Sequence, residues 1–492
     1  MTRLDPRTPV LVGAGTAGQR CDDPTDAVDV VELMVRAAET AAADAGAPAI
    51  LGDVAWVAAT KGNARLADPA RLVADRVGAA DAHTVLSDIG VLQTAPLREA
   101  ARLIADAQLD SALVVGGETK FRSLRAQITG AEMAEPHQAD GVAPDEHWVA
   151  EGDVISRREI DFGLVHPVQQ YAMIENALRA AEGQSIDDHR RAIAELYAAM
   201  NVVAQANPAA DFATPMTADQ IREPSADNRP LAFPYNKWHN SQWNVDQAAA
   251  LILCSAERAD ALGIPRDRWV FPTVTVESNH MTHLIDRDEL HRCLGFEIGA
   301  PRLYQAAQVG ADDLGAIELY SCFPAAVRVQ QRAFGLDPAR PVTVTGGMAF
   351  AGGPLNNFVL QALVELIARV REGDGPALST AVSGMLTKQS MSLYAADPPT
   401  AFRAIDVSGE VAASTRPRRQ ATKDTGCGHV AAYTVTYQGT EAVSVLVIAE
   451  LDDGTRTLVS SDQSAVVERF QTAEVIGTAI EWRGDSFQVG GP

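Results

Sequence analysis

Short apolar strands alternate with amphipathic helices twice along this chain, and the two stretches are separated by a segment that follows neither period. In residues 1–118 the pattern predicts strands near 10–13, 54–60, 84–87 and 111–117, with helices at 26–45, 69–77 and 92–107. Alternation of this kind builds an α/β layer around a mostly parallel sheet. Residues 119–240 are rich in Pro, His, Asp and aromatics and read as a loop-rich insertion, with helices near 168–182 and 188–206. From residue 241 the alternation returns. A helix is predicted over Asp246 to Leu262, then strands at 269–276, 315–320, 342–346 and 379–386, with helices at 289–309, 323–334 and 356–371. The second half repeats the order of elements of the first, without a sequence repeat. After about residue 404 come a basic, turn-rich stretch and five short β runs, the signature of a small β-barrel of the OB type. The expected units are therefore 1–118, 119–240, 241–404 and 405–492.

The first strand runs into Gly13-Ala14-Gly15-Thr16-Ala17-Gly18, a G-x-G-x-x-G string. A dinucleotide turn needs a helix that starts at once, so that its N-terminus faces the pyrophosphate. Here Gln19 to Pro24 has no apolar periodicity, and the helix starts near Thr25 or Asp26. The next strand ends in Ala-Thr-Lys and offers no acid for a ribose. The glycines are expected to let a strand end in a wide loop.

The net charge is −23, from 41 basic and 64 acidic residues, which disfavours nucleic acid and anionic lipid as partners. No apolar run approaches the ~18 residues of a membrane span, and the first residues have no signal-peptide core. Five cysteines (21, 254, 293, 322 and 427) are scattered without a C-x-x-C pair. That fits a reducing, cytoplasmic setting and no structural zinc. His280, His283 and His291, with Asp286 and Asp288, read as a polar loop rather than a metal site, and no metal is expected.

Four segments converge on one family. They are SALVVGGET (111–119), NSQWNVDQAAALILCSAERADALGI (240–264), IELYSCFPAAV (317–327) and TVTGGMAFAGGPLNNF (343–358). Their order and spacing resemble the thiolase superfamily, most closely the sterol-carrier-type thiolases and the thiolase-like proteins known as acetyl-CoA acetyltransferases. The resemblance covers roughly residues 8–400, and the tail resembles the OB-type domain that accompanies some of these proteins. It implies two similar βαβαβαββ halves in a five-layer αβαβα arrangement, with 119–240 as the loop domain that covers coenzyme A. The ligand implied is CoA or an acyl-CoA, with no other cofactor. The resemblance leaves monomer and homodimer both open, and the tail is a possible surface for a protein partner.

A thiolase attacks an acyl-CoA carbonyl with a cysteine thiolate. On the family's pattern that position is Gly90 or Val91 in LSDIGVLQTAPL (86–97), where neither residue can attack. Ser87 lies nearby with no identifiable base. The G-H-P histidine maps to Gly353 in Gly352-Gly353-Pro354, and no cysteine lies in SGMLTKQSM (383–391), where the second one belongs. Lys388 is expected in a solvated turn, with a role as displaced base if it is buried. The residue that binds the thioester oxygen maps to Tyr320, with Cys322 two positions on. Loss of a covalent nucleophile typically costs on the order of 10⁵–10⁶ in rate. The resemblance implies that binding survives. Asn240, Ser241 and Gln242 would line the pantetheine arm, beside Gly352 and Gly353, and Trp238 or Trp243 would wall the tunnel. Arg122, Arg125, Arg157 and Arg158 would meet the phosphates. The expectation is an acyl-CoA-binding protein without thiolase turnover. Two alternatives stand beside it: a CoA-ester enzyme that uses Tyr320 without an acyl-enzyme, as in retro-aldol cleavage, and a non-catalytic scaffold.

Overall fold

The structure, a computed structural model, describes residues 4–489. Two sheets carry the body of the molecule. The first has six strands, in the order Pro9–Gln19, Asp246–Ser255, Ser111–Thr119, Trp56–Thr60, His83–Ser87 and Glu146–Trp148. The second has five, in the order Ile317–Glu318, Ala377–Ser383, Lys388–Ala395, Phe271–Ser278 and Arg403–Asp406.

Alternation of side chains along the strands sorts the helices into layers. Val10, Val12, Leu113 and Val115 face outward, onto the helices Val30–Asp44 and Pro69–Val77. Leu11, Ala112 and Val114 face inward, onto Ala95–Ala105 and Phe358–Arg371. These two helices also meet Ala377 and Ala381 of the second sheet. Its other face, with Leu378, Met391 and Leu393, packs on Leu294–Ala307 and Pro324–Phe334. Helix, sheet, helix, sheet and helix thus form the five layers that the resemblance implies.

The stretch predicted as a helix from Asp246 is a strand, Asp246–Ser255, followed by the short helix Ala256–Ala261. All ten strand residues are buried. A strand buried on both faces reads as a continuous apolar run, without the period that separates it from a helix. It lies antiparallel between Pro9–Gln19 and Ser111–Thr119.

The glycine string does not end its strand either, because Pro9–Gln19 runs through all of it. A Cβ on Gly13 would come 2.3 Å from the Ala41 carbonyl oxygen, and one on Gly15 would come 2.4 Å from the Ala41 nitrogen. The glycines let the Val30–Asp44 helix lie directly on the strand. That helix is capped by Asp29, later than predicted. The strand predicted at 342–346 is absent. Its Val344 and Thr345 N–H groups donate to the buried Glu318 carboxylate instead, at 2.8 and 3.0 Å.

The 119–240 segment adds Glu146–Trp148 in parallel to the edge of the first sheet. It also carries the helices Pro167–Ala181 and Ile186–Ala206. A third sheet holds the tail. Thr425–Gln438 pairs with both Glu441–Glu450 and Ala479–Arg483. Arg456–Ser461 and Ser486–Val489 complete a closed circuit, with the helix Ser464–Thr472 between its third and fourth strands. Gly490, at the end of the last predicted β run, lies outside the described residues.

Candidate functional site

The residues that the resemblance puts at the family's catalytic positions are expectations from the sequence; Gly90, Tyr320 and Lys388 lie where the helical middle layer meets the second sheet. After the His83–Ser87 strand the chain turns through Gly90 into the Ala95–Ala105 helix. Gly90 has φ +97°, a conformation that side-chain-bearing residues rarely adopt, and a Cβ there would come 2.8 Å from the Ala150 Cβ. Its carbonyl accepts from the Ser383 hydroxyl at 3.2 Å. The turn is therefore shaped for glycine and plugged by Ala150. Val91 beside it is partly buried. Ser87 is buried with no partner for its hydroxyl. The adjacent Asp88 carboxylate is taken up by Lys61 and His147, each at 3.1 Å.

Gly353 is closed off in a different way. A Cβ there would come 1.9 Å from the Ser241 hydroxyl. The Gly353 N–H donates to the Gln242 carbonyl at 2.8 Å, and the Gln242 N–H donates to the Met348 carbonyl at 3.0 Å. The Ser241 N–H donates to the Cys322 carbonyl at 3.1 Å. Residues 241–242 thus clasp the Tyr320–Phe323 segment to the Met348–Gly353 loop. Gly352, at φ +108°, is packed against the side chain of Gln247. The side chains of Asn240 and Gln242 turn back onto the chain, both reaching the Lys237 carbonyl.

The aromatic candidates do not share a wall. Trp238 stacks on Phe350 with ring centroids 6.0 Å apart. Trp243 is 52% exposed, with the Lys120 ammonium 5.0 Å from its ring centroid. Nor are the four arginines gathered. Arg122 is buried and paired with Glu135, and Arg125 donates to the Asp22 carbonyl at 2.7 Å. Arg157 pairs with Asp161, and Arg158 reaches Thr457 of the tail at 3.2 Å.

Tyr320 links the two halves. Its ring stands edge-on to Phe358 at 6.1 Å and packs on the apolar cluster between the two sheets. Burial pushes the phenol well above its ordinary pKa. It holds its proton at neutral pH and can donate a hydrogen bond. Cys322 is buried beside Tyr171, and burial pushes its thiol up to about 12, so a thiolate is not at hand.

Lys388 corrects the sequence expectation. It opens the Lys388–Ala395 strand, is 1% exposed, and donates from Nζ to the Glu151 carbonyl at 2.8 Å. Burial pulls its amine below the usual lysine range. Its place in a buried strand, with its amine under the Glu151 carbonyl, decides its exposure. His283 points to the Asp153 carbonyl at 3.0 Å. Among the described residues no cluster of His, Cys, Asp and Glu is arranged to hold a metal ion.

Three features were not foreseen. Ser241 takes the space beside Gly353, Gly90 sits in a left-handed turn against Ala150, and Thr60 and Asn357 carry buried polar atoms without partners. A Cβ on Gly116 would come 2.1 Å from Thr60 Oγ1 and 2.5 Å from Asn357 Oδ1. Nothing in the spacing of these residues places them together, because they meet only through strand order.

The structure is similar to the crystal structure of a monomeric SCP2-thiolase-like protein type 1 from Mycobacterium smegmatis. The two chains are 28% identical over 99% of this chain and 100% of that one, with a TM-score of 0.84. The chain belongs to the thiolase superfamily.

Two other solved structures share the thiolase fold. Human mitochondrial 3-ketoacyl-CoA thiolase is 16% identical, over 79% of this chain and 99% of its own, with a TM-score of 0.57. An Ltp2–ChsH2(DUF35) aldolase is 18% identical, over 79% and 98%, with a TM-score of 0.60. No protein-family model and no curated protein sequence matches the chain. In this thiolase-like protein a side chain at Gly90 would meet Ala150 and one at Gly353 would meet Ser241.

Proposed function

We propose that this thiolase-like protein binds CoA or an acyl-CoA and does not form an acyl-enzyme. The observation that carries the reading is the contact of Ser241 with Gly353. Within a thiolase fold, the space of the activating imidazole is occupied. The left-handed Gly90 and the protonated Cys322 thiol support it. Without a thiolate and its base, neither thiolysis nor Claisen condensation can proceed through a covalent intermediate. On the same reading the tail is an OB-type domain, and the units are those expected from the sequence.

A second reading rests on Tyr320. Its phenol, held neutral by burial, can donate to a thioester or keto oxygen and so assist carbon–carbon cleavage without an acyl-enzyme.

The test is calorimetric titration of CoA, together with product analysis by mass spectrometry after incubation with CoA and 3-ketoacyl- and 3-hydroxyacyl-CoAs. Binding without product is expected. Thiolysis products would overturn the proposal. Release of an aldehyde or ketone that is abolished by Tyr320→Phe would establish the second reading. Absence of both binding and product would leave a scaffold.

A further inference from the structure

A buried arginine without an ion-pair partner lines a cavity of about 480 Å³ behind the Ser383–Lys388 hairpin. Arg287 is 6% exposed. Its Nε donates to the Thr282 carbonyl at 3.4 Å and its Nη2 to the Met385 carbonyl. Its Nη1 is buried and has no partner. The carboxylate whose field reaches it, Glu159, accepts instead from Ser156 and from the Ile285 N–H at 3.1 Å. Burying a guanidinium without a counter-charge is costly, and such groups are found paired or bound to a ligand. The acids on the cavity wall do not supply the missing charge. Asp288 is paired with Arg418, and Glu289 with Arg292.

The rest of the wall fits a ligand. Arg416, exposed at the rim, comes from the basic stretch that leads into the tail. The loop is held in place from the tail, where Arg456 donates to the Arg287 and Asp288 carbonyls.

We infer that this cavity is a binding site for a small oxyanion, a carboxylate or a phosphate, held by the Arg287 guanidinium with Arg416 at its mouth. A charge-assisted hydrogen bond to a guanidinium suits either group. The anion is either the free end of an acyl group carried on CoA or a separate small molecule. The site lies apart from Arg122 and Arg125 and does not depend on the CoA reading.

The experiment is calorimetric titration of the full chain with glutarate, inorganic phosphate, butyryl-CoA and glutaryl-CoA. It is repeated with Arg287→Met and with Ala413→Trp. Ala413 is an exposed residue of the cavity wall, so its substitution fills the mouth without touching Arg287. Wild type is expected to bind at least one of the anions. Loss of one charge-assisted bond should weaken that binding by roughly 10- to 100-fold in Arg287→Met, and Ala413→Trp should weaken it comparably. A preference of about tenfold for glutaryl-CoA over butyryl-CoA, lost in both variants, would assign the anion to the acyl group. Binding of glutarate or phosphate with equal affinity for the two CoA esters would assign a separate small molecule. If Arg287→Met does not fold, Ala413→Trp decides alone. The proposal falls if wild type binds none of the anions with a free carboxylate or phosphate, or if the folded variants bind as wild type does.

Discussion

Ser241 occupies the space into which a side chain on Gly353 would project, its hydroxyl 1.9 Å from the Cβ position. The same serine holds the Cys322 carbonyl through its N–H at 3.1 Å. Restoring a histidine at 353 therefore means displacing a residue that joins two segments of the site. Gly353→His is expected to lower stability by about 1–3 kcal/mol, the usual cost of overpacking, and to give no thiolysis. Ser241→Gly in the same chain should recover part of that loss. Chemical denaturation of the wild type and the two variants measures both effects.

Cys322 should resist alkylation. Its thiol is buried and pushed up to about 12, chiefly by burial, whereas Cys427 is exposed. Labelling with iodoacetamide at pH 8, followed by peptide mass spectrometry, should mark Cys427 and leave Cys322 unmodified until the protein unfolds. Rapid modification of Cys322 in the native state would reopen it as a nucleophile.

A buried ionic network ties the inserted helices to the second half. Glu175 is fully buried and meets His189 at 3.1 Å, Arg328 at 2.9 Å and the Tyr235 hydroxyl at 2.6 Å. Burial alone would raise the Glu175 pKa, but His189, Arg328 and Tyr235 together hold it down, to about 2. A depressed carboxyl contributes stability that is fully present above its unfolded value of 4.5 and is lost as pH falls toward about 2. Burial also lowers the His189 pKa, so the unfolded chain binds that proton more readily and acid again favours unfolding. Glu175→Gln should cost about 3–5 kcal/mol at neutral pH, as for a broken buried pair. It should also flatten the acid limb of stability against pH. Thermal melts between pH 7 and pH 3 test this.

The edge of the His83–Ser87 strand is covered by the chain's own Glu146–Trp148, which pairs with Val85, Leu86 and Ser87. A covered edge cannot pair with a second copy. Light scattering coupled to size exclusion is expected to give the mass of one chain. A stable dimer would show that another surface serves association.

Lys388 should bind protons less readily than a surface lysine, because burial penalises its charged form. Lys388→Met, close in volume, should cost less than about 1.5 kcal/mol and release the Glu151 carbonyl. Hydrogen exchange around residue 151 should then rise while the rest of the sheet keeps its protection.

Much of this protein is written in local pattern. Alternating strands and helices set out the two halves and the tail, because amphipathic periods of 2 and 3.6 record which face is buried. It was also legible that Gly90, Val91 and Gly353 carry no reactive group, whatever surrounds them. Local pattern failed where burial is complete. Asp246–Ser255 is apolar on both faces, so its sequence does not separate strand from helix. Glycines 13 and 15 were expected to end their strand in a wide loop, whereas the strand runs through them beneath a helix. The tertiary structure alone decided the contacts between distant segments: Ser241 against Gly353, Gln93 against Val359, and Lys388 under Glu151. The partners in these pairs come from segments far apart in the chain. What a side chain touches, and how readily it holds a charge, depends on packing that no window of sequence contains.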